Sequence, residues 1–200
     1  MPTSLPQTAA SDDPAAVRYA YKASLIGSAH EFELTDDALA WEAGGRSGVW
    51  RYVDISTIRL SYRPVSMQSR RFRADLQHIT GRRIVILSTS WQTVALMAPQ
   101  DDGYRRFIVA LHARMAKAGS QAGLNGGLGR GFYTVSVTLV ALLGVAMAGL
   151  LIRSVATGQF AGALFVVGFA ALFAWQVGGF IRRNRPMTYD FDHLPDALLP

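Results

Sequence analysis

Two long apolar runs dominate the second half of the chain. Residues 132–152 and 160–181 are almost entirely apolar, and Arg153 is the only charged residue between positions 132 and 181. A helix rises about 1.5 Å per residue, so each run is long enough to cross a hydrocarbon core of about 30 Å. Because backbone groups in lipid must be hydrogen-bonded within their own segment, the pattern predicts a hairpin of two transmembrane helices.

The first half of the chain has shorter apolar patterns. Short or alternating apolar segments separated by turn residues predict strands, and Thr80-Gly81 predicts a hairpin turn. These strand segments are 19–26, 31–35, 38–43, 49–63, 70–79, 82–90 and 91–97. After Pro99 the period becomes helical, with one apolar face. Its members are Tyr104, Phe107, Ile108, Leu111 and Met115.

The segment 32–62 resembles part of a known domain type. It reads FELTDDALAWEAGGRSGVWRYVDISTIRLSY, with a short hairpin, a tryptophan-bearing strand and an aspartate-isoleucine step into the next strand. This order resembles the front half of pleckstrin-homology-like (PH-like) domains in bacterial membrane proteins. The resemblance implies an α+β fold for residues 18–118: a small antiparallel β-barrel or curved sheet capped by a C-terminal helix. Another small α+β domain is the alternative.

Three segments outside these elements lack a regular apolar period. Residues 1–17 carry no apolar core and predict a disordered N-terminal tail. Residues 119–131 are rich in glycine and predict a flexible linker between the domain and the first membrane helix. Residues 182–200 begin with arginines, continue with acidic and apolar residues, and predict an exposed C-terminal tail that offers a short linear motif.

Basic residues near the apolar runs predict the orientation of the hairpin. Six flank its outer ends, whereas the intervening turn has only Arg153. The six are Arg114, Lys117, Arg130, Arg182, Arg183 and Arg185. By the positive-inside bias, we expect a multi-pass protein of the cell membrane (inner or plasma membrane) with both termini cytoplasmic.

Seven arginines lie close together in the strand-rich region, with Asp75 as the only acid among them. They are Arg59, Arg63, Arg70, Arg71, Arg73, Arg82 and Arg83. On paired strands they could form one cationic face that binds anionic lipid headgroups. A solvated sheet face, or contact with an acidic partner such as the protein's own tail, are the alternatives.

Small and polar residues in the apolar runs predict helix packing. Small residues spaced four apart allow two helices to approach closely, within the hairpin or between copies, and a polar side chain can bond across helices. These residues are Gly144, Ala148, Ala170, Ala174 and Gly178, with Gln176 as the polar one. They predict a membrane-protein partner or a homo-oligomer.

The sequence lacks the motifs of several classes of functional site. The chain has no cysteine, and its histidines (His30, His78, His112 and His193) are too scattered for a metal site. We expect His112 at the surface or rim of the domain. The glycine-rich 123–131 run lacks the lysine of a phosphate loop. The net charge of +6 comes largely from arginines beside the membrane runs, and no nucleic-acid-binding motif is visible. We therefore expect no catalytic residues, no metal, no cofactor and no nucleic acid.

Together these patterns predict a non-enzymatic, membrane-anchored adaptor or scaffold. Its cytoplasmic domain would bind a protein partner or anionic lipid headgroups. The alternative function is an accessory subunit of a transporter or membrane enzyme complex, held through the transmembrane hairpin. A third class, an enzyme acting on a substrate within the membrane, stays open.

Overall fold

The computed structural model describes residues 17–64, 70–93 and 97–200. The predicted N-terminal tail, apart from Val17, lies outside the described residues. So do positions 65–69 and 94–96, the latter in the last predicted strand.

The first four strands form one antiparallel sheet in chain order. Its strands are β1 (Val17–Tyr21), β2 (His30–Leu34), β3 (Ala38–Ala43) and β4 (Arg46–Arg51). Apolar alternation orients β2, since Phe32 and Leu34 are buried while Glu31 is exposed. Gly44 and Gly45 form the β3–β4 turn with φ of +59° and +71°, a backbone region that favours glycine.

A short 3₁₀ turn, Tyr52–Asp54, leads from the first sheet into the second. The second sheet has five strands: β5 (Ile55–Tyr62), β6 (Phe72–His78), β7 (Arg83–Leu87), β10 (Gly123–Gly126) and β11 (Met187–Thr188). Their spatial order is β11-β10-β5-β6-β7. Two further strands, β8 (Thr89–Trp91) and β9 (Met97–Pro99), pair with each other. The predicted hairpin turn at Thr80-Gly81 is confirmed, because it joins β6 to β7.

Helix α1 (Asp101–Lys117) packs its apolar stripe into the core. Each of the five residues that the sequence places on that face is 0 % exposed, which confirms the prediction. Because the stripe is covered by side chains of both sheets, α1 closes one side of the core. Its first turn is acidic and its last turn is basic, as the helix dipole favours.

The described strands form open sheets and do not close into a barrel. At the gap, side chains of β1 reach the edge of β7. The Tyr19 hydroxyl donates to the Leu87 carbonyl at 2.6 Å, and the Tyr21 hydroxyl donates to the Val85 carbonyl at 2.7 Å. These bonds satisfy edge carbonyls that a closed ladder would otherwise use. The mixed α+β class predicted from the sequence is therefore present, but a closed barrel is not.

The segment predicted as a flexible linker contains a strand. Within it, β10 pairs parallel with β5 and antiparallel with β11. Gly127 follows with φ of +77°, and a Cβ at this position would lie 2.4 Å from the Arg185 carbonyl oxygen. The glycines at this point allow close backbone approach, so their abundance does not produce a flexible segment here.

Two helices follow that are long and apolar enough to cross a membrane. They are α2 (Arg130–Ala156) and α3 (Phe160–Arg183), which confirms the two predicted apolar helices and extends both. The turn between them includes Gly158 at φ +71°. In the most apolar stretch of each helix no residue is buried against the rest of the protein, whereas the core helix of a soluble domain is mostly buried.

The C-terminal segment packs onto the domain, in contrast to the predicted exposed tail. Tyr189, Leu198 and Leu199 join the hydrophobic core, and Leu198 lies in a 3₁₀ turn, Asp196–Leu198. Arg105 on α1 also donates to the Asp196 carboxylate at 3.0 Å. The apolar residues of this acidic segment are thus buried, because the chain after α3 packs back against the domain.

Candidate basic site beside the apolar helices

The first residue after α3 connects the helix to the second sheet. The side chain of Asn184 accepts a hydrogen bond from the Tyr62 amide at 3.0 Å and donates one to the Tyr62 carbonyl at 2.8 Å. Asn184 is fully buried. The end of β5 is therefore fixed directly beside the end of α3.

Three of the seven arginines from the sequence cluster lie at this end of the sheet. Tyr62 pairs with Phe72, and beyond them the Arg63 amide donates to the Arg71 carbonyl at 2.8 Å. Arg70 is the next residue along. These three, which we call the proximal arginines, lie near the end of α3 and the basic residues there. Those residues are Arg182, Arg183 and Arg185.

The two arginines in the middle of the sheet have different surroundings. Arg73 forms an ion pair with Asp75, with Nε donating to Oδ2 at 2.8 Å, and the hydrogen bond to Asp75 raises the pKa of Arg73. Arg59 lies opposite Asp75 in the β5–β6 register, but its side chain reaches the start of α2, where Nη1 lies 3.6 Å from the position that a Cβ would take at Gly129. Asp75 thus lowers the positive charge at Arg73, whereas Arg59 lies beside Arg130.

The remaining two arginines lie at the far end of the sheet. Arg82 and Arg83 come at the start of β7, beyond the seven residues of β6, or about 20 Å along the strand from the proximal arginines. The Arg82 guanidinium lies over the Trp41 ring, 5.4 Å from its centroid. The seven arginines therefore divide among three places and do not form a single face.

Electrostatic repulsion is concentrated at the proximal arginines. Burial lowers the pKa of Arg71, and the charges of Arg73 and Arg63 lower it further. The Arg71 Nε atom is buried and has no hydrogen-bond partner among the described residues. An anion near this group would relieve both the repulsion and the missing hydrogen bond.

A cavity of about 840 Å³ lies between the end of β5 and the last turns of α3. Its lining includes Tyr62, Trp175, Gly179, Arg182 and Arg183. The Arg183 guanidinium lies over the Tyr62 ring at 5.1 Å from its centroid, so the cationic side of the cavity is held in place by the sheet. We call this cavity the α3 pocket.

The small residues predicted to pack helices line a second cavity. This apolar groove of about 720 Å³ runs between α2 and α3. It brings together Gly144, Ala148, Ala170, Ala174 and Gly178. Gln176, which the sequence grouped with them, lines the α3 pocket instead.

His112 is a buried residue that the sequence placed wrongly at the surface or rim. It is 1 % exposed, and its Nδ1 lies 2.8 Å from the Ile108 carbonyl while its Nε2 lies 3.0 Å from the Tyr189 hydroxyl. A carbonyl only accepts, so Nδ1 carries the proton and Nε2 accepts from Tyr189. Burial lowers the pKa of His112. The side chain that covers it comes from the C-terminal segment, so no local sequence signal indicates the contact.

The described residues contain no group of three or more histidine, aspartate or glutamate side chains arranged to hold a metal ion. The arrangement that stands out is cationic: the proximal arginines, the arginines at the end of α3 and the pocket beside them. No protein-family model, no curated protein and no solved structure matches the chain.

Proposed function

We propose that this protein is a membrane-anchored, non-catalytic adaptor. In this proposal α2 and α3 span the cell membrane as a hairpin, and both termini lie in the cytoplasm. The domain before them is PH-like, as its order of strands and one closing helix suggests. It binds anionic lipid headgroups at its membrane-facing end and a protein partner elsewhere.

The observation that carries this proposal is the double connection between the domain and the hairpin. On one side β10 leads into α2, and on the other Asn184 and β11 follow α3. Because β10 and β11 are paired neighbours, the domain cannot swing freely on a tether. It is held with the proximal arginines near the end of α3 and with Arg59 beside the start of α2.

This geometry favours contact with anionic lipid. Each arginine close to an anionic leaflet contributes about 1 kcal/mol, and the contribution falls off within about 10 Å. The proximal arginines meet that distance requirement better than Arg82 and Arg83, which lie at the far end of β7. The rigid connection also removes most of the entropic cost of bringing the domain to the surface.

Two exposed apolar residues support a protein partner at the opposite end of the sheet. Val53 and Ile79 are 48 % and 64 % exposed. They are close to each other, since the Ile79 amide donates to the carbonyl of Asp54 at 2.9 Å. Apolar side chains beside Arg82 and Arg83 form a mixed surface of the kind found at protein interfaces.

The absence of cysteine from the chain allows a direct test in the full-length protein. A fluorophore is attached to a single cysteine at Pro64→Cys, near the proximal arginines, or at Ile79→Cys, the matched position at the far end. Both residues are exposed. The protein is reconstituted in nanodiscs with nitroxide-headgroup lipids and an increasing fraction of anionic lipid.

We expect strong quenching at position 64 that rises with the anionic fraction, and weak quenching at position 79. Equal quenching at both positions, or no dependence on lipid charge at position 64, would refute the headgroup contact. In-cell crosslinking from position 79, followed by mass spectrometry, tests the partner surface. Reproducible crosslinks to one protein support an adaptor, and their absence argues against it.

The groove between α2 and α3 favours a second candidate function, that of an accessory subunit held through the hairpin. Small residues on both helices leave room along this groove for a helix of another protein. Gly144→Leu with Ala148→Leu would fill it from the side of α2, where neither residue lines the α3 pocket. Loss of a detergent-stable complex in this double variant supports the subunit model, and unchanged assembly rejects it.

A further inference from the structure

If the hairpin spans a membrane, the α3 pocket lies at the boundary between the lipid headgroups and the hydrocarbon region. It begins at Arg183, the last residue of α3, and extends to Trp175. Eight residues of helix correspond to about 12 Å along the axis. The pocket therefore extends from the level of the headgroups into the upper part of the hydrocarbon region.

The chemistry of the pocket changes along this depth. Arg182 and Arg183 provide positive charge at the shallow end, and no carboxylate lines the pocket. Among the described residues neither arginine forms an ion pair with an acidic side chain. Their charges are thus available to an anionic group that enters the pocket.

The deeper part of the pocket is open and mostly apolar. Gly178 and Gly179 form part of its wall, and nothing lies within 4 Å of the position that a Cβ would take at either one. Trp175 lies beyond them and is 78 % exposed. A bare helix backbone beside an indole ring gives an acyl chain an apolar surface to lie along.

We propose that the α3 pocket binds one anionic phospholipid per chain. Its phosphate contacts Arg182 and Arg183, and an acyl chain lies over Gly178 and Gly179 toward Trp175. The order of polarity in the pocket, cationic and then apolar over about 12 Å, matches that of a phospholipid and not that of a free phosphate ion. The site rests on the proposed membrane insertion, but it is distinct from general attraction between the proximal arginines and the leaflet.

The test uses the full-length protein in detergent and native mass spectrometry. The probes are phosphatidylglycerol, as the anionic lipid, and phosphatidylcholine, as the neutral lipid of the same chain length. The double variant Arg182→Gln/Arg183→Gln removes the charges of the pocket. Arg82→Gln/Arg83→Gln removes the same number of charges at the far end of the sheet and is the matched control.

We expect one retained phosphatidylglycerol per chain and at least tenfold less retention of phosphatidylcholine. The pocket variant should lower phosphatidylglycerol retention at least tenfold, while the control variant retains it. Equal retention of both lipids, or equal loss in both variants, would overturn the site. Matching thermal unfolding midpoints establish that the pocket variant is folded.

A second variant tests the acyl-chain part of the site without a change in charge. Gly179→Leu places a side chain in open space inside the pocket, and we expect it to reduce lipid retention with no loss of fold. Excess inorganic phosphate should not displace the lipid. If phosphate displaces it fully, or if Gly179→Leu retains it fully, the pocket recognises only an anion and the lipid assignment is wrong.

The two proposals can fail separately. Because Pro64 also lines the α3 pocket, the quenching at position 64 is measured in Arg182→Gln/Arg183→Gln as well as in the otherwise unmodified protein. Charge-dependent quenching that persists in this variant, without retained lipid in the unmodified protein, would support the adaptor and reject the pocket. Retained phosphatidylglycerol, with quenching that is lost in the variant, would support the pocket and reject the wider headgroup contact.

Discussion

Asn184 pairs with the backbone of Tyr62 in the way that a residue of a neighbouring strand would. Its amide nitrogen donates to the Tyr62 carbonyl at 2.8 Å, and its amide oxygen accepts from the Tyr62 amide at 3.0 Å. The two residues are 122 positions apart in sequence. A single side chain thus continues the sheet to the end of an apolar helix.

The variant Asn184→Asp keeps the size of this side chain but removes its donor. A carboxylate oxygen would face the Tyr62 carbonyl in a buried site, so we expect a loss of at least about 2 kcal/mol in stability. The measurement is the thermal unfolding midpoint of the detergent-solubilised protein. Asn125→Asp is the control, because the Asn125 amide bonds locally to the Gly123 carbonyl in an exposed position. Equal shifts for the two variants would contradict a specific role for Asn184.

Gly127→Ala tests whether the segment before α2 is a fixed structure. The added Cβ would lie within 2.5 Å of the carbonyl oxygens of Arg185 and Asn184, and φ of +77° is unfavourable for alanine. We expect a destabilisation of at least about 2 kcal/mol and faster proteolysis between residues 119 and 129. Gly131→Ala, where no atom lies within 4 Å of the new Cβ, should behave like the unmodified protein. Unchanged proteolysis in Gly127→Ala would favour the flexible linker.

Leu198→Ala tests the packing of the C-terminal segment. Leu198 is 0 % exposed in the core, so its truncation should cost about 2–5 kcal/mol. Leu25→Ala makes the same chemical change at a side chain that is 43 % exposed, and we expect less than about 1 kcal/mol there. Thermal unfolding midpoints compare the two. Similar small shifts would mean that the C-terminal segment does not belong to the folded core.

His112 makes the stability of the domain depend on pH. Burial lowers its pKa below the ordinary value of 6.5, although the hydrogen bond to the Ile108 carbonyl opposes this shift. Below about pH 6.5 the unfolded chain binds a proton that folded His112 does not, so stability falls as the pH drops toward the lowered pKa. His112→Gln should flatten the decrease in unfolding midpoint between about pH 7 and pH 5.

Two other titratable groups do not reverse the direction of this pH dependence. Tyr189, which donates to Nε2 of His112, has a pKa raised by burial and stays protonated over this range. His30 also has a pKa lowered by burial and is present in both proteins, so the slope should decrease without vanishing. An unchanged slope in His112→Gln would show that His112 is accessible to protons in the folded state.

The elements that sequence patterns predicted well are those whose signal is local. The stripe on α1 and the two apolar helices follow from the side chains of the element itself. The burial of His112 has no local signal, because Tyr189, which packs over it, is 77 positions away in the sequence. The glycines near position 126 were also ambiguous, since a glycine-rich segment suits both a flexible linker and a close crossing of two backbones.

In the candidate site, too, local features could be predicted from the sequence and long-range contacts could not. The sequence identified the arginines but could not sort them, because their positions depend on strand register and on which end of the sheet meets α3. Arg63 and Arg71 come together through a backbone bond, whereas Arg82 lies at the other end. The α3 pocket had no signal at all, since Tyr62 and Arg183 meet only through long-range packing.

By itself the sequence determined two apolar helices, a strand-rich region and an amphipathic helix, because each depends on the period of side chains along a continuous segment. Only the tertiary structure decided that the glycine-rich segment and the C-terminal segment belong to the domain, and which arginines lie beside the helix ends. Those outcomes depend on hydrogen bonds and buried contacts between residues far apart in the chain. Their free energy is gained only when the whole fold brings those residues together.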